Sequence, residues 1–345
     1  MNHLKKYINF GTEVLKARLT RRNIPVLAVL CVTDKCNLNC AYCYQKPSRG
    51  QKVEFTTEEI LSLIDELGGM GAKFISINGG EALMRDDIET IIDKIKEKNI
   101  LIQLTTNGQL VKKKIGILKK VDSLCVSLDG NMKSNDLNRG RGSYDKIIEG
   151  LNCLKANNIP FHTNTVISKN NINAADEIMT LALKYGFIAQ FSILRQEDAP
   201  CPELGLDDKE IRKIIQQILS YKEKGLLVFY SYNSYKKALD WPFSYQQQMT
   251  FERMPIGYKT GPCYIKKMAC QIEANGLVYP CVTLVGKFKA LNFKEVGFKK
   301  AWENLKNCDC QACYVICHNE LNSLFGLKRD AIWNAIKIAI RRIIK

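Results

Sequence analysis

Six runs of apolar and β-branched residues recur along the first part of the chain, and segments with helical spacing separate them. The runs are residues 26–32, 73–77, 100–105, 121–127, 159–167 and 187–194. The intervening segments predict helices near 57–69, 86–98, 110–119, 143–156 and 171–186. Six strands that alternate with helices indicate an α/β fold, in which a parallel sheet is either open or closed into a barrel.

Polar clusters follow the predicted strands and distinguish the two arrangements. The clusters are CNLNCAYC at 36–43, NGGEA at 78–82, TNG at 106–108, SLDG at 127–130 and NT at 164–165. A doubly wound sheet concentrates such residues at one switch point, whereas a barrel collects them from several strand ends. The pattern therefore favours a partial (β/α)6 TIM-like barrel with its site at the carboxyl ends of the strands.

Beyond the barrel, a helix is predicted at about 207–224, and a tyrosine-rich stretch without clear periodicity follows it. Cysteines then return at high density between residues 263 and 317, which indicates a small metal-dependent module. We divide the chain into a basic amphipathic N-terminal helix (1–24), the barrel (25–225), a connector (226–254), a cysteine-rich auxiliary domain (255–320) and a basic amphipathic C-terminal helix (321–345).

The loop after the first strand carries three cysteines, Cys36, Cys40 and Cys43, at C-x3-C-x2-C spacing. Structural zinc typically takes four ligands in paired C-x2-C knuckles. Three thiolates on one loop suit three corners of a cubane iron–sulfur cluster and leave one iron free. The spacing favours iron–sulfur over zinc but does not exclude zinc with a distant fourth ligand.

The order of four motifs resembles the radical S-adenosylmethionine (SAM) superfamily. These are the three-cysteine loop with Tyr42 before its last cysteine, then GGEA, TTNG and SLDG, within about residues 26–200. The resemblance implies a 4Fe–4S cluster whose open iron is chelated by SAM. It implies reductive cleavage of SAM to a 5′-deoxyadenosyl radical that abstracts hydrogen from a substrate. A reducing partner such as flavodoxin or ferredoxin is implied as well.

The same resemblance assigns SAM contacts at the strand ends. Gly79 and Gly80 would let the backbone approach a ligand closely. Glu81 would accept hydrogen bonds from the SAM ammonium group, and Arg139 matches an arginine that pairs with the SAM carboxylate. The other expected polar contacts are Asn107, Ser127, Asp129, Asn164 and Thr165.

The later cysteines resemble the start of a SPASM-type auxiliary domain, through Cys263-x12-Gly276-x4-Cys281. Two fully protein-ligated clusters need about eight thiolates, and this region holds seven cysteines. We therefore expect one auxiliary cluster, or a second with an incomplete ligand set, and zinc is the alternative. The expected ligands are Cys263, Cys270, Cys281 and Cys317 for the first, and Cys308, Cys310 and Cys313 for the second.

Charge is concentrated at the two ends of a chain whose net charge is +16. Residues 1–23 and 321–345 each hold six basic side chains and one acidic side chain. Both segments have amphipathic helical spacing, which is typical of helices at an anionic membrane surface. The alternative is that each helix packs its apolar face on the rest of the protein. No recognition-helix pattern accompanies the charge, so we do not expect nucleic acid as a partner.

The 14 cysteines, in a sequence without a secretory signal pattern, indicate a reducing cytoplasm, with the inner face of the membrane as a peripheral site. We place lipid or isoprenoid substrates slightly ahead of peptides, because the basic helices resemble those of lipid-modifying members. The alternative is a peptide or protein maturase of the SPASM type. An iron–sulfur electron-transfer or sensor protein that does not turn over SAM is the alternative from another class.

Overall fold

The computed structural model describes residues 2–45, 50, 54–195, 202–247, 249–250, 252–258 and 261–344. All six predicted strands are present. They are β1 Leu27–Cys31, β2 Phe74–Asn78, β3 Leu101–Thr106, β4 Ser123–Ser127, β5 Phe161–Ile167 and β6 Ile188–Ile193. The later strands are β7 Met249–Thr250, β8 Ala269–Ile272, β9 Leu277–Tyr279, β10 Leu291–Asn292 and β11 Cys310–Ala312.

The helices of the first part are α1 Asn2–Leu19, α2 Thr57–Gly69, α3 Ile88–Glu97, α4 Ile115–Leu118, α5 Met132–Arg139, α6 Ser143–Ala156, α7 Ala174–Tyr185 and α8 Asp208–Glu223. Those of the second part are α9 Tyr232–Leu239, α10 Ile265–Met268, α11 Phe293–Val296, α12 Phe298–Asn304, α13 Ile316–Phe325 and α14 Arg329–Ile344. Thr56 and Glu59 form a complete capping box at the start of α2.

One predicted helix is largely absent from the described residues, and one observed helix was not predicted. The segment predicted as a helix at 110–119 folds mainly as turns, with only the short α4 at Ile115–Leu118. Helix α5 was missed because its sequence, MKSNDLNR, is strongly polar and lacks an apolar stripe. Its buried face is built from polar side chains instead, including Asn135, Asn138 and Arg139. It lies directly after the SLDG cluster and takes part in the site.

The strands form one nine-stranded sheet in the order β10-β9-β8-β1-β2-β3-β4-β5-β6. The six predicted strands are parallel and follow chain order, as a partial (β/α)6 barrel requires. Strand β8 pairs in parallel with β1, so the auxiliary region extends the barrel sheet. Gly276, with φ +94, makes the turn to the antiparallel β9, and a Cβ there would lie 2.3 Å from Asn292 Oδ1. The two regions therefore share one sheet.

Side-chain alternation gives the sheet two different faces. One face is apolar and packs under the helices, as in Leu30 of β1, Ile75 and Ile77 of β2, and Leu104 of β3, all fully buried. The opposite face lines the inside of the barrel and is largely polar. We call this inner space the lumen. Its polar and thiol-bearing residues are Cys31, Ser76, Asn78, Gln103, Thr105, Ser123, Cys125, Ser127, His162, Asn164, Gln190, Ser192 and Gln271. The same alternation also turns Leu27, Val29, Phe74, Leu101, Val166 and Ile188 to this face.

The terminal helices α1 and α14 contact one another at the amino-terminal ends of the strands. Lys6 of α1 donates to Ile100 O, just before β3, and forms an ion pair with Asp122, just before β4. Arg342 of α14 lies 3.0 Å from His162 Nδ1 at the start of β5. Burial and the nearby Arg342 charge hold the pKa of His162 well below its ordinary value. Both helices are therefore anchored to the end of the barrel opposite the polar clusters.

Anchoring leaves part of each helix exposed. Val14 and Ala17 of α1 and Ala331 and Ala339 of α14 are buried. The apolar side chains that remain exposed are Leu4, Ile8, Leu15 and Leu19 on α1, and Trp333, Ile336 and Ile340 on α14. Among the described residues, no helix combines the length and apolar character needed to cross a bilayer.

Candidate active site

The cysteine loop leaves β1 at the carboxyl end of the sheet, and its three thiols are close enough to influence one another. Burial raises the pKa of Cys40, the Arg139 charge opposes that effect, and Cys43 and Cys36 add to it. Each thiolate raises the pKa of the neighbouring thiols, because two negative charges repel each other. A cation bound among the thiols removes this repulsion and lets all of them ionise. The iron of a 4Fe–4S cluster would supply that positive charge, so the chemistry of these three thiols suits such a cluster.

A buried charge network fixes this loop against the barrel. Tyr42, within the loop, donates from its hydroxyl to Asp129 Oδ2 at 2.6 Å and accepts from Arg139 at 2.6 Å. Arg139 Nε lies 2.8 Å from Asp129 Oδ2. The loop backbone is held as well, since Ala41 N donates to Asn138 O at 2.8 Å. The buried ion pair of Asp129 and Arg139 thus holds the loop, through Tyr42, to the end of β4 and to α5.

This network changes the roles expected for Asp129 and Thr165. Asp129 is fully buried and accepts from Tyr42, Arg139 and Val166 N, so it braces the site. Thr165 is also fully buried and donates to Leu128 O, because alternation turns it to the helix side while its neighbour Asn164 faces the lumen. Both side chains are thus engaged within the protein in this structure, and their contacts with SAM stay predictions.

Arg139 and Ser127 keep their predicted positions at the carboxyl ends of the strands. Arg139 is paired with Asp129, and its contact with a SAM carboxylate stays a prediction. Ser127 is half-buried on the lumen face, where it aligns with Asn164 of β5. The predicted roles of Ser127 and Asn164 as SAM contacts stay predictions as well.

Gly79 and Gly80 allow the segment after β2 to approach the start of the cysteine loop. A Cβ on Gly79, whose φ is +151, would lie 2.5 Å from Thr33 O, and one on Gly80 would lie 2.2 Å from Lys35 O. The backbones are joined there, because Gly80 N donates to Thr33 O and Glu81 N donates to Lys35 O. The close approach expected at these glycines is thus, in this structure, made to the protein's own backbone.

Glu81 connects the ends of β2 and β3. Its buried carboxylate accepts from Leu83 N at 3.2 Å, from Thr106 Oγ1 at 2.9 Å and from Asn107 N at 2.7 Å. Asn107 in turn donates to Asn37 Oδ1 at 2.7 Å and lies 3.8 Å from Cys36 Sγ. Glu81 therefore positions the amide that touches the cysteine loop, and its bond to a SAM ammonium group stays a prediction.

The lumen beside this loop is polar and partly accessible. Gln103 links Ser76 and Ser123 by hydrogen bonds of 3.4 and 3.2 Å. Asn164 Oδ1 accepts from Gln190 and from Ser192, both at 2.9 Å. Asn78, Thr105, Ser127, Asn164, Gln190 and Ser192 are half-buried, although they lie inside the barrel. The space under the cysteine loop thus offers amide and hydroxyl groups to a bound molecule.

The auxiliary cysteines are grouped differently from the prediction. Burial raises the pKa of Cys281 to about 12, and the nearby thiols of Cys310 and Cys263 raise it further. Burial also raises the pKa of Cys313, with Cys281 and Cys310 adding to the effect, and that of Cys308, to which Cys263 contributes. These pairwise influences connect Cys263, Cys281, Cys308, Cys310 and Cys313, which we call the auxiliary thiol group. Among the described residues, no three such side chains are already arranged around a metal position.

Two predicted ligands lie outside this group. Cys270 faces the helix side of β8, in register with Ala28, and burial alone raises its pKa. Alternation along the strand dictates this orientation. The role of Cys270 as a cluster ligand stays a prediction. Cys317, on α13, contributes to raising the pKa of Tyr230 and Tyr235, and it shares the nearby Arg195 charge with Cys313. Its role as a ligand stays a prediction.

Comparisons with known proteins agree with this geometry. Residues 30–182 match the family model described as the Radical SAM superfamily. The chain is 28% identical over 301 residues to the AdoMet-dependent heme synthase of Methanosarcina barkeri, covering 82% of this chain and 83% of that protein. It is 30% identical to the mycofactocin maturase MftC of Mycolicibacterium smegmatis, over 50% of this chain and 45% of that protein. This chain thus spans less than half of the maturase.

The fold is similar to that of Streptococcus suis SuiB bound to the precursor peptide SuiA. The TM-score is 0.64 at 19% sequence identity, and the similarity covers 84% of this chain and 67% of SuiB. Because the identity is low, this comparison supports the arrangement of the strands and helices only. It includes the barrel and extends into the cysteine-rich region.

The burial of Glu81 predicts a pH dependence of stability. Burial raises the pKa of Glu81 from 4.5 to about 7, against the hydrogen bonds that lower it. The folded state therefore holds the proton more tightly, and the stabilisation present below pH 4.5 is lost as pH rises through 7. We expect the free energy of unfolding of the wild type, minus that of Glu81→Gln, to fall by about 3 kcal/mol between pH 4.5 and 8. Urea unfolding across this range tests it, and a constant difference contradicts it.

Proposed function

Because the chain belongs to the radical SAM superfamily, we propose that Cys36, Cys40 and Cys43 hold a 4Fe–4S cluster with SAM on its fourth iron, and that the enzyme modifies a peptide. When bound, the cluster and SAM supply a radical that abstracts a hydrogen atom from the substrate, with the electron provided by a flavodoxin or ferredoxin. The chain's own residues hold the loop, line the lumen and position the substrate.

The polar lumen is the observation that carries the choice of substrate. Gln103, Asn164 and Gln190 present amide groups towards the interior, with serine and threonine hydroxyls around them. An isoprenoid chain would cover these groups without replacing the hydrogen bonds that water gives them, which is unfavourable. A peptide backbone offers both N–H donors and C=O acceptors at each residue. A peptide therefore fits this lumen better than a lipid.

The named relatives support the same choice. MftC is called a mycofactocin maturase, and SuiB is described in complex with a precursor peptide. The slight preference for lipid-like substrates, which rested on the basic terminal helices, therefore yields to the peptide alternative. Those helices lie at the far end of the barrel from the cysteine loop, so their character does not define the lumen.

A tetrapyrrole is the second candidate substrate. The relative named as a heme synthase is similar over 82% of this chain, which is more than the maturase covers. Formation of 5′-deoxyadenosine that rises on addition of iron-coproporphyrin, and not on addition of peptides encoded beside this gene, would favour the tetrapyrrole. The reverse result would favour the peptide.

Replacement of one loop cysteine tests the site itself. We expect Cys40→Ala to lose about four irons per chain and to abolish reductant-dependent formation of 5′-deoxyadenosine. Cys153→Ala is the matched control, because Cys153 lies on α6, remote from the loop, and it should keep both properties. Equal iron contents in the two variants would contradict the assignment.

We further propose that the auxiliary thiol group holds one iron–sulfur cluster. The group has one thiol before α10 and four between β9 and α13, and each influences the pKa of at least one other. Four thiolates suffice for a cluster. His318 supports the group from outside, with Nδ1 3.5 Å from Cys313 Sγ. Burial, together with the Arg195 charge, lowers the pKa of His318 to about 4, so the ring is neutral near Cys313.

The position of Cys270 provides a control for this second site. We expect Cys281→Ala to lose about four irons per chain and to keep the absorption of the first cluster. Cys270→Ala should keep the full iron content, because its thiol lies among apolar side chains under the helices. Measurement of iron and acid-labile sulfide after anaerobic purification checks both, and loss of iron in Cys270→Ala would restore the set predicted from the sequence.

We also propose that α1 and α14 attach the enzyme to an anionic membrane surface. The two helices are neighbours, and the side chain of Trp333 is 59% exposed and that of Ile8 is 55% exposed. Lys5 and Arg341 are exposed next to these apolar positions. Apolar side chains between basic ones are the combination that binds lipid headgroups and the outer acyl region.

Liposome co-sedimentation tests the membrane proposal. We expect binding at low salt to vesicles that contain phosphatidylserine, and about tenfold weaker binding after Trp333→Ser with Ile336→Ser, because apolar area is removed. Leu137→Ser is the matched control, since Leu137 is an exposed apolar residue on α5, at the end of the barrel opposite both helices. Equal binding by all three proteins, or no binding by the wild type, would contradict the proposal.

A further inference from the structure

Glu273 follows β8 on the lumen side of the sheet. Leu30 is in register with Ile272, so the next pair along the two strands is Cys31 with Glu273. Ala28, Leu30, Cys270 and Ile272 face the helices, and alternation therefore turns Cys31 and Glu273 into the lumen. The cysteine loop begins five residues after Cys31, so Glu273 lies at the end of the sheet from which the loop leaves.

Glu273 is only 2% exposed, yet its carboxylate has few partners. Oε1 accepts from Gln271 Nε2 at 2.9 Å and lies 3.7 Å from Cys31 Sγ, a weak donor. Within the described part of the chain, no group donates to Oε2 and no lysine or arginine forms an ion pair with this carboxylate. One oxygen is thus left for a donor that the protein does not itself supply.

Other buried carboxylates of the same chain are well satisfied. Glu320, 9% exposed, accepts from Ser231 N, Ser231 Oγ, Ser234 Oγ and Asn334 Nδ2 at 2.5 to 3.0 Å. Asp129 is paired with Arg139, and Asp122 with Lys6. A buried carboxylate without such partners costs several kcal/mol. Natural proteins keep such destabilising groups chiefly where function needs them.

We propose that Glu273 anchors the substrate through a cationic group, an ammonium or a guanidinium, held in the lumen beneath the cysteine loop. This inference rests on the proposed function and narrows its substrate to a peptide with a lysine, an arginine or a free amino terminus at the reacting region. A cationic donor supplies both the missing hydrogen bond to Oε2 and the missing charge. The auxiliary region, which contributes β8, thereby takes part in substrate selection.

A stability comparison tests whether the carboxylate is unsatisfied in the free enzyme. We expect Glu273→Gln to raise the melting temperature of the iron-loaded protein by about 2–4 °C, because an uncompensated buried charge is removed. Glu320→Gln is the matched control and should lower it, since that side chain is saturated with donors. A comparable fall in both variants would show that Glu273 is a satisfied structural acceptor, and would overturn the inference.

Binding of small probes tests the preference for a cation. We expect N-acetyl-lysinamide and N-acetyl-argininamide, at millimolar concentrations, to raise the melting temperature of the wild type, and N-acetyl-norleucinamide to have no effect. Glu273→Gln should lose the response to both cationic probes. No response in the wild type, an equal response to norleucinamide, or an unchanged response in the variant would each overturn the inference.

Two parallel measurements separate this inference from the proposed function. Weaker SAM binding by Glu273→Gln, with no change in its response to the cationic probes, would assign the carboxylate to the cofactor and overturn the inference. In the other case, Glu273→Gln loses cation binding and the wild type forms no 5′-deoxyadenosine. That result would support Glu273 as the cation-binding residue and contradict the radical chemistry.

Discussion

The buried ion pair between Asp129 and Arg139, with the hydroxyl of Tyr42 between them, fixes the position of the cysteine loop. Removing one partner of such a pair leaves an uncompensated charge and costs about 3–5 kcal/mol. Three parts of the chain meet in it: the loop itself, the end of β4 and helix α5. The three thiols have a defined geometry because a buried charge pair, and not the flexible loop, determines where the loop lies.

Glu81 extends the same constraint to the neighbouring strands. It joins the ends of β2 and β3, while Gly79 and Gly80 bring the backbone of this segment against residues 33–35. The side chain of Asn107 then reaches the loop next to Cys36. Several residues expected to touch SAM therefore also support the loop. Such support is a common requirement of metal sites, whose ligands need fixed orientations.

The pairing of β8 with β1 joins the two cysteine-bearing regions through one sheet. Because strand residues alternate between faces, the pairing has two consequences at once. It buries Cys270 under the helices and turns Gln271 and Glu273 into the lumen. The auxiliary region thus contributes to the wall of the substrate space as well as a thiol group. At the opposite end, α1 and α14 cover the barrel and leave apolar and basic side chains exposed.

The barrel strands, most of the helices between them and the three-cysteine loop could be predicted from the amino-acid sequence alone. These features follow from local periodicity and spacing, which a single sequence displays. The sequence did not reveal α5, whose buried face is polar. Nor did it show which side of the sheet Thr165 and Cys270 occupy, because that depends on strand register. The tertiary structure also decided which thiols are neighbours, because Cys263 and Cys313 are distant in the chain and meet only through folding. The sequence does not distinguish the acidic residues Asp129 and Glu273. Their hydrogen-bond partners in the folded protein do, because Asp129 is bound by several donors whereas one oxygen of Glu273 is left for a ligand.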